Sequence, residues 1–124
     1  MEPKEIVDEF FKLYGSGKVD MSVDFIASTN PWLARATDSL AHLKSQLNSL
    51  ASTLGEYYEY QLIAEKCLGD RMIGFCSVAI FDRQPIRFIF VFYKPQEKWK
   101  MQKINFDMDL DDDLEESIKQ SVFM

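Results

Sequence analysis

The apolar period of this chain changes once, at Gly55. Before it, apolar residues recur every three or four positions. From Glu56 onward they alternate. The first spacing belongs to an amphipathic helix and the second to a half-buried strand. A chain that runs helices first, then strands joined by short turns, is directed to an α+β domain with an antiparallel meander.

The first helix opens at Glu2-Pro3, because proline at the first helical position is preorganised and loses no needed N–H. Ile6, Val7, Phe10, Phe11, Leu13 and Tyr14 supply its apolar stripe. Gly15 is expected to cap its C-terminus. The following "GSGK" lacks the full phosphate-loop pattern, since Val19 follows Lys18, and reads as a turn. Asp20 is expected to cap a short second helix bearing Val23, Phe25 and Ile26. "STNPW" ends it, because the residue before proline is steered away from helical angles. A third helix is predicted from Ala36 to Leu54. Its Leu40, Leu43, Leu47, Leu50 and Leu54 form one seam, expected to pack as core against a sheet. Each leucine contributes about 1.5–3 kcal/mol if fully buried, as an upper bound.

Four strands follow. In "YYEYQLIAEKCL", Tyr58, Tyr60, Leu62, Ala64 and Leu68 fall on one side, and Glu59, Gln61 and Glu65 on a wetter one. "RMIGFCSVAIF" and "IRFIFVFY" are apolar on both sides, as central strands are. In "WKMQKINFDMD" the apolar positions change phase, which predicts a bulge near Gln102–Lys103. Strands this long must twist and curl. The expected architecture is α+β: N-terminal helices packed on a strongly curved four-stranded antiparallel sheet, cone-shaped, with a short acidic helix at the C-terminal end. It forms a single domain over 1–124, with a core of about 3–108 and an acidic segment over 107–124.

At 124 residues the chain buries a sizeable core without disulfides or metal. Pairing about Gly69–Asp70 sets Cys67 opposite Met72 and Cys76 opposite Ile63, so no disulfide joins them. Two free, buried thiols are expected, in keeping with a reducing compartment. Seven of the twenty carboxylates lie between Asp107 and Glu116, so the rest of the chain is near neutral with fourteen basic and thirteen acidic residues. No basic stripe appears, which argues against nucleic acid. No apolar run is long enough to span a membrane, and "MEPKEIVDEFF" does not read as a signal peptide. The expected location is the cytoplasm, or the periplasm or exterior if a leader has been removed.

The element order, the opening "PKEIVDEFFKLYGSGKVD", the "DFIASTNPW" after it and the long strand beginning "EKWKMQKINF" resemble the nuclear transport factor 2-like superfamily, over about residues 3–108. That resemblance implies a curved-sheet cone and a homodimer formed through the open sheet face. Its members include ketosteroid isomerase, polyketide cyclases, limonene epoxide hydrolase, dehydratases and many non-catalytic binding modules. An isomerase needs a carboxylate base and a group that stabilises an enolate; a cyclase or dehydratase of this kind uses an Asp–His pair. The one histidine, His42, lies about 100° from the leucine seam, on the surface or at the seam's edge. Asp82 falls at a turn and Asp24 on the second helix.

No catalytic residue, metal site or cofactor is therefore assigned. The ligand-pocket candidates are Trp32, Arg87, Tyr93, Tyr58 and Tyr60, with Arg87 an anion-binding group on the concave face and Trp32 a lid. The expected function is a non-catalytic domain that dimerises and binds a small apolar or weakly anionic ligand. The alternatives are an isomerase, cyclase or dehydratase, and a protein-interaction module using the acidic end.

That acidic end begins like a calcium loop, Asp107-x-Asp109-x-Asp111. The loop needs glycine sixth and glutamate twelfth, where this chain has Asp112 and Ile118, so it is not an EF-hand. It reads instead as a fraying strand followed by a helix over 112–123, capped by Asp111 or Asp112. Leu114, Ile118 and Val122 would dock this helix on the body.

Overall fold

The computed structural model describes residues 1–122. The helices are α1 (Pro3–Gly15), α2 (Val19–Ser28), the single turn α3 (Pro31–Ala34), α4 (Thr37–Thr53) and α5 (Leu110–Val122). The strands are β1 (Tyr57–Leu68), β2 (Met72–Phe81), β3 (Ile86–Tyr93) and β4 (Lys100–Asp107), placed between α4 and α5. They form one antiparallel sheet in the order β1-β2-β3-β4. The fold is the α+β meander that the change of period at Gly55 dictates. Gly55 itself takes φ 82°, a conformation that ends the helix and favours glycine.

α1 starts as its sequence requires, with Pro3 in the first turn and Glu2 and Glu5 closing a capping box. Its end corrects the reading of Gly15. The helix runs through Gly15, Ser16 is the C-cap, and Gly17 carries the positive φ of 81°. Gly15 answers to packing instead, since a Cβ there would collide with the Tyr57 ring. Asp20 is likewise not a cap. It lies in the first turn of α2, whose N-cap is Lys18, and it accepts a 2.8 Å hydrogen bond from Asn48 of α4.

α1 lays its aromatic stripe on one face of the sheet. Phe88, Phe90 and Phe92 alternate along β3 and are fully buried there. Phe10 meets the Phe88 and Phe90 rings edge-on, with centroids 5.8 and 5.4 Å away, and Phe11 stacks on Tyr60 at 4.2 Å. Edge-to-face and offset contacts of this kind are the favoured aromatic geometries. This cluster fills the centre of the domain. Ser77 and Tyr14 are buried with it, and their hydroxyls have no hydrogen-bond partner among the described residues.

Three irregularities break the register of the sheet, at Tyr58 and Ile63 in β1 and at Gln102 in β4, and they decide which side chains face this core. In β1, Tyr57 pairs with Phe81 and Glu59 with Ile80, so Tyr58 is an extra residue. Tyr57 and Tyr60 therefore both pack against the core while Tyr58 is exposed. The expected grouping of Tyr58 with Tyr60 is corrected by this bulge. In β4, Val91 pairs with Lys103 and Phe92 with Met101, so Gln102 is the extra residue. That is the bulge expected from the change of apolar phase.

The β1–β2 turn takes three residues, so Cys67 pairs with Ile73 and Cys76 with Ala64, one step away from the predicted register. The cysteines are free, and neither is buried: Cys67 is exposed and Cys76 half-buried. β1 is an edge strand, and it is exposed from Gln61 to its end, Cys67 and Leu68 included. α5 begins at Leu110, so Asp111 and Asp112 sit inside its first turn and do not cap it. Its expected docking on the body is also corrected: among its described residues none is buried. Phe123, which ended the predicted helix, lies outside the described residues. Among the described residues no helix is long and apolar enough to cross a membrane.

Candidate functional site: a pocket between α4 and β4

α4 is fastened to α2 and leaves a gap towards β4. Lys44 pairs with Asp24 at 2.7 Å, and Asn48 bridges to Asp20. Leu47 and Leu54 of the leucine seam are buried, whereas Leu40, Leu43 and Leu50 are half-buried. The seam is therefore core over part of its width, and the rest looks into a cavity of about 300 Å³. This volume lies at the lower end of the range for small-molecule sites.

The base of the cavity is apolar, with Val23 and Ile26 from α2, Leu40 and Leu43 from α4, and Met101 and Ile104 from β4. The rim is polar and exposed: Ser39, His42 and Gln46 from α4 face Gln102 from β4, whereas Lys103 borders the pocket but pairs with Val91, which sets its side chain on the outer sheet face. Among the described residues no carboxylate lines it. A second depression, about 400 Å³, continues along the same groove past Gln46 to Leu50, Phe106 and Met108.

The α2–α3 junction fixes the β4 side of the pocket. The Thr29 hydroxyl accepts from the Met101 N–H at 3.0 Å. The buried Asn30 amide donates to the Met101 carbonyl at 3.0 Å and its oxygen accepts from the Trp32 N–H at 3.0 Å. One asparagine thus caps α3 and satisfies an edge-strand carbonyl that would otherwise be open to pairing. Gln102, the bulged residue, follows directly and is carried to the rim.

None of the five residues singled out from the sequence lines this pocket. Trp32 is 71 % exposed, with the Arg35 guanidinium 5.4 Å from its ring centroid. Tyr58 and Tyr60 border an open groove beside α1, and the Tyr58 hydroxyl donates to Asp82 at 2.8 Å. That hydrogen bond pushes the Tyr58 phenol upward.

Arg87 and Tyr93 alternate with the buried phenylalanines of β3, so they lie on the face turned away from α1. Arg87 grips Asp107 with Nε and Nη2, each at 3.0 Å, and reaches Asp113 of α5 with Nη1 at 2.5 Å. Partial burial pulls the Asp107 carboxyl upward. The Arg87 hydrogen bond, the Asp109 N–H and the Arg87 charge together outweigh it, and its pKa falls below the usual carboxylate value. Arg87 is thus already occupied by two carboxylates, and the placement on the concave face is corrected.

His42 was readable only as an edge residue. Its neighbours in the pocket were the sequence's clearest pointer: the leucine seam and the predicted β4 bulge are its two walls. Among the described residues no three His, Cys, Asp or Glu side chains gather as a metal site requires. No protein-family model matches the chain, and neither a curated protein nor a solved structure matches it significantly.

Proposed function

We propose that this chain is a non-catalytic binding domain of the cone type, holding a small amphipathic molecule in the α4–β4 pocket and dimerising through the outer face of its sheet. The observation that carries the reading is the lining of the pocket, an apolar base under a rim that has a histidine, a serine and amides and, among the described residues, no carboxylate. Such a site favours an apolar body with a weakly anionic end, because the apolar base supplies transfer free energy while the rim offers hydrogen-bond donors and no competing carboxylate among the described residues. The resemblance to the nuclear transport factor 2-like superfamily is supported by the order of helices and strands and by the meander. An enzyme of that superfamily pairs a base with a second group inside the cone. Here the centre is filled by phenylalanine rings, and His42 has no carboxylate beside it in the pocket lining.

Isothermal titration calorimetry with decanoate as the probe tests this. Wild type is expected to bind. Leu43→Trp, which fills the cavity, abolishes binding, and Gln46→Glu, which puts a carboxylate on the rim, weakens it by about tenfold, the effect of some 1.4 kcal/mol. Equal heats for wild type and Leu43→Trp would rule the pocket out.

A further inference from the structure

α5 is an amphipathic helix whose apolar side is covered by none of the described residues. Leu114, Ile118 and Val122 recur every four residues and are 63, 57 and 71 % exposed. A thirteen-residue helix is marginal in water without a surface to pack on. The outer face of the sheet is the matching surface. The cross-strand pairs Met72–Tyr93 and Cys76–Ile89 run down its middle, on the side away from α1. Lys66 and Lys100 flank this apolar band, opposite Gly74 and Tyr93 respectively. Neither lysine forms an ion pair among the described residues, and the same holds for Asp111, Asp112 and Glu116 of α5.

Lengths agree as well as charges. Thirteen residues of helix extend about 20 Å at ~1.5 Å each. The distance along β3 from Arg87 to Tyr93 is also about 20 Å at ~3.3 Å per residue. The Arg87–Asp113 pair pins the first turn of α5 at one end of its own sheet and leaves the stripe open to solvent. In a two-fold dimer the same patch serves both copies. With the two sheets antiparallel, the Arg87 end of one copy, where α5 is rooted, meets the lysine end of the other.

We propose that α5 is an exchanged arm: its Leu114–Ile118–Val122 stripe docks on the outer sheet face of a second copy of this chain, with its carboxylates against Lys66 and Lys100. This rests on the sheet-face dimer proposed above. The test is sedimentation equilibrium of the full chain as wild type, as Leu114→Asp/Ile118→Asp and as Lys66→Glu/Lys100→Glu. These side chains are not in the core, so the fold, checked by circular dichroism, survives. The expected result is a wild-type dimer whose dissociation constant rises on the order of 100-fold in the first variant and about tenfold in the second. A wild-type monomer would overturn the dimer reading and this inference together. A wild-type dimer whose affinity the α5 variant leaves unchanged would overturn the exchanged arm alone, because α5 would then serve only its own chain.

Discussion

Asn30 and Met101, 71 residues apart in sequence, are joined by a 3.0 Å hydrogen bond from the Asn30 amide to the Met101 carbonyl. The bond joins the α2–α3 junction to the free edge of β4, beside the residue whose bulge shapes the pocket. Asn30 is 6 % exposed, so the groups it serves have little water to replace it. Asn30→Ala is expected to cost about 1–3 kcal/mol, the penalty for leaving buried polar groups unpaired. Urea denaturation measures this. A loss below a few tenths of a kcal/mol would mean that the junction does not depend on Asn30.

Gly15 reverses the usual rule for glycine in a helix. Replacing an interior helical glycine by alanine ordinarily gains about 0.5–1 kcal/mol. Here the added methyl meets the Tyr57 ring, so Gly15→Ala is expected to destabilise, by about 1–3 kcal/mol as overpacking does. Removing the ring relieves the collision: in the Tyr57→Ala background, Gly15→Ala becomes neutral or stabilising. A double-mutant cycle of melting curves reads the coupling, and additive effects would refute the contact.

The Tyr14 hydroxyl is buried and has no hydrogen-bond partner among the described residues, and burial first, with the neighbouring Tyr57 second, raises its pKa far above the ordinary phenol value. Deleting an unpaired buried hydroxyl while keeping the ring removes a desolvation cost of about 1–3 kcal/mol. Tyr14→Phe should therefore hold or raise the melting temperature. A clear fall would reveal a partner for the hydroxyl.

Asp107 gives the fold a pH dependence of known sign. Its folded pKa is lowered, so its pairing with Arg87 stabilises the fold fully above the unfolded carboxylate value of about 3.9. That stabilisation is lost as pH falls through the lower folded value. Asp107→Asn should be less stable than wild type at pH 7, and the gap should close on acidification below pH ~4. Denaturation at a series of pH values tests it, and a gap that persists or widens in acid would contradict the assignment.

The fold was more legible in the sequence than the site. The change of period at Gly55 and the phase change around Gln102 each follow from local patterns, and both reappear in the fold. The placement of Arg87 and Tyr93 depends on which face of the sheet the helices cover, and alternation along β3 does not reveal that, since both its faces are apolar. Tyr58 was lost to a β1 bulge with no phase change to mark it. The leucine seam told which side of α4 turns inward. That pattern does not show that α4 is tied to α2 through Asp20 and Asp24, or that a pocket separates it from β4.

The central claim is that the α4–β4 pocket takes an amphipathic anion. Methyl-detected NMR during titration with decanoate tests it most directly. The expected shifts are at Val23, Ile26, Leu40, Leu43 and Ile104, saturating together, with the outer-face methyls of Ile89 and Val91 unmoved. Unmoved pocket methyls at millimolar decanoate, or shifts confined to the outer sheet face, would contradict it.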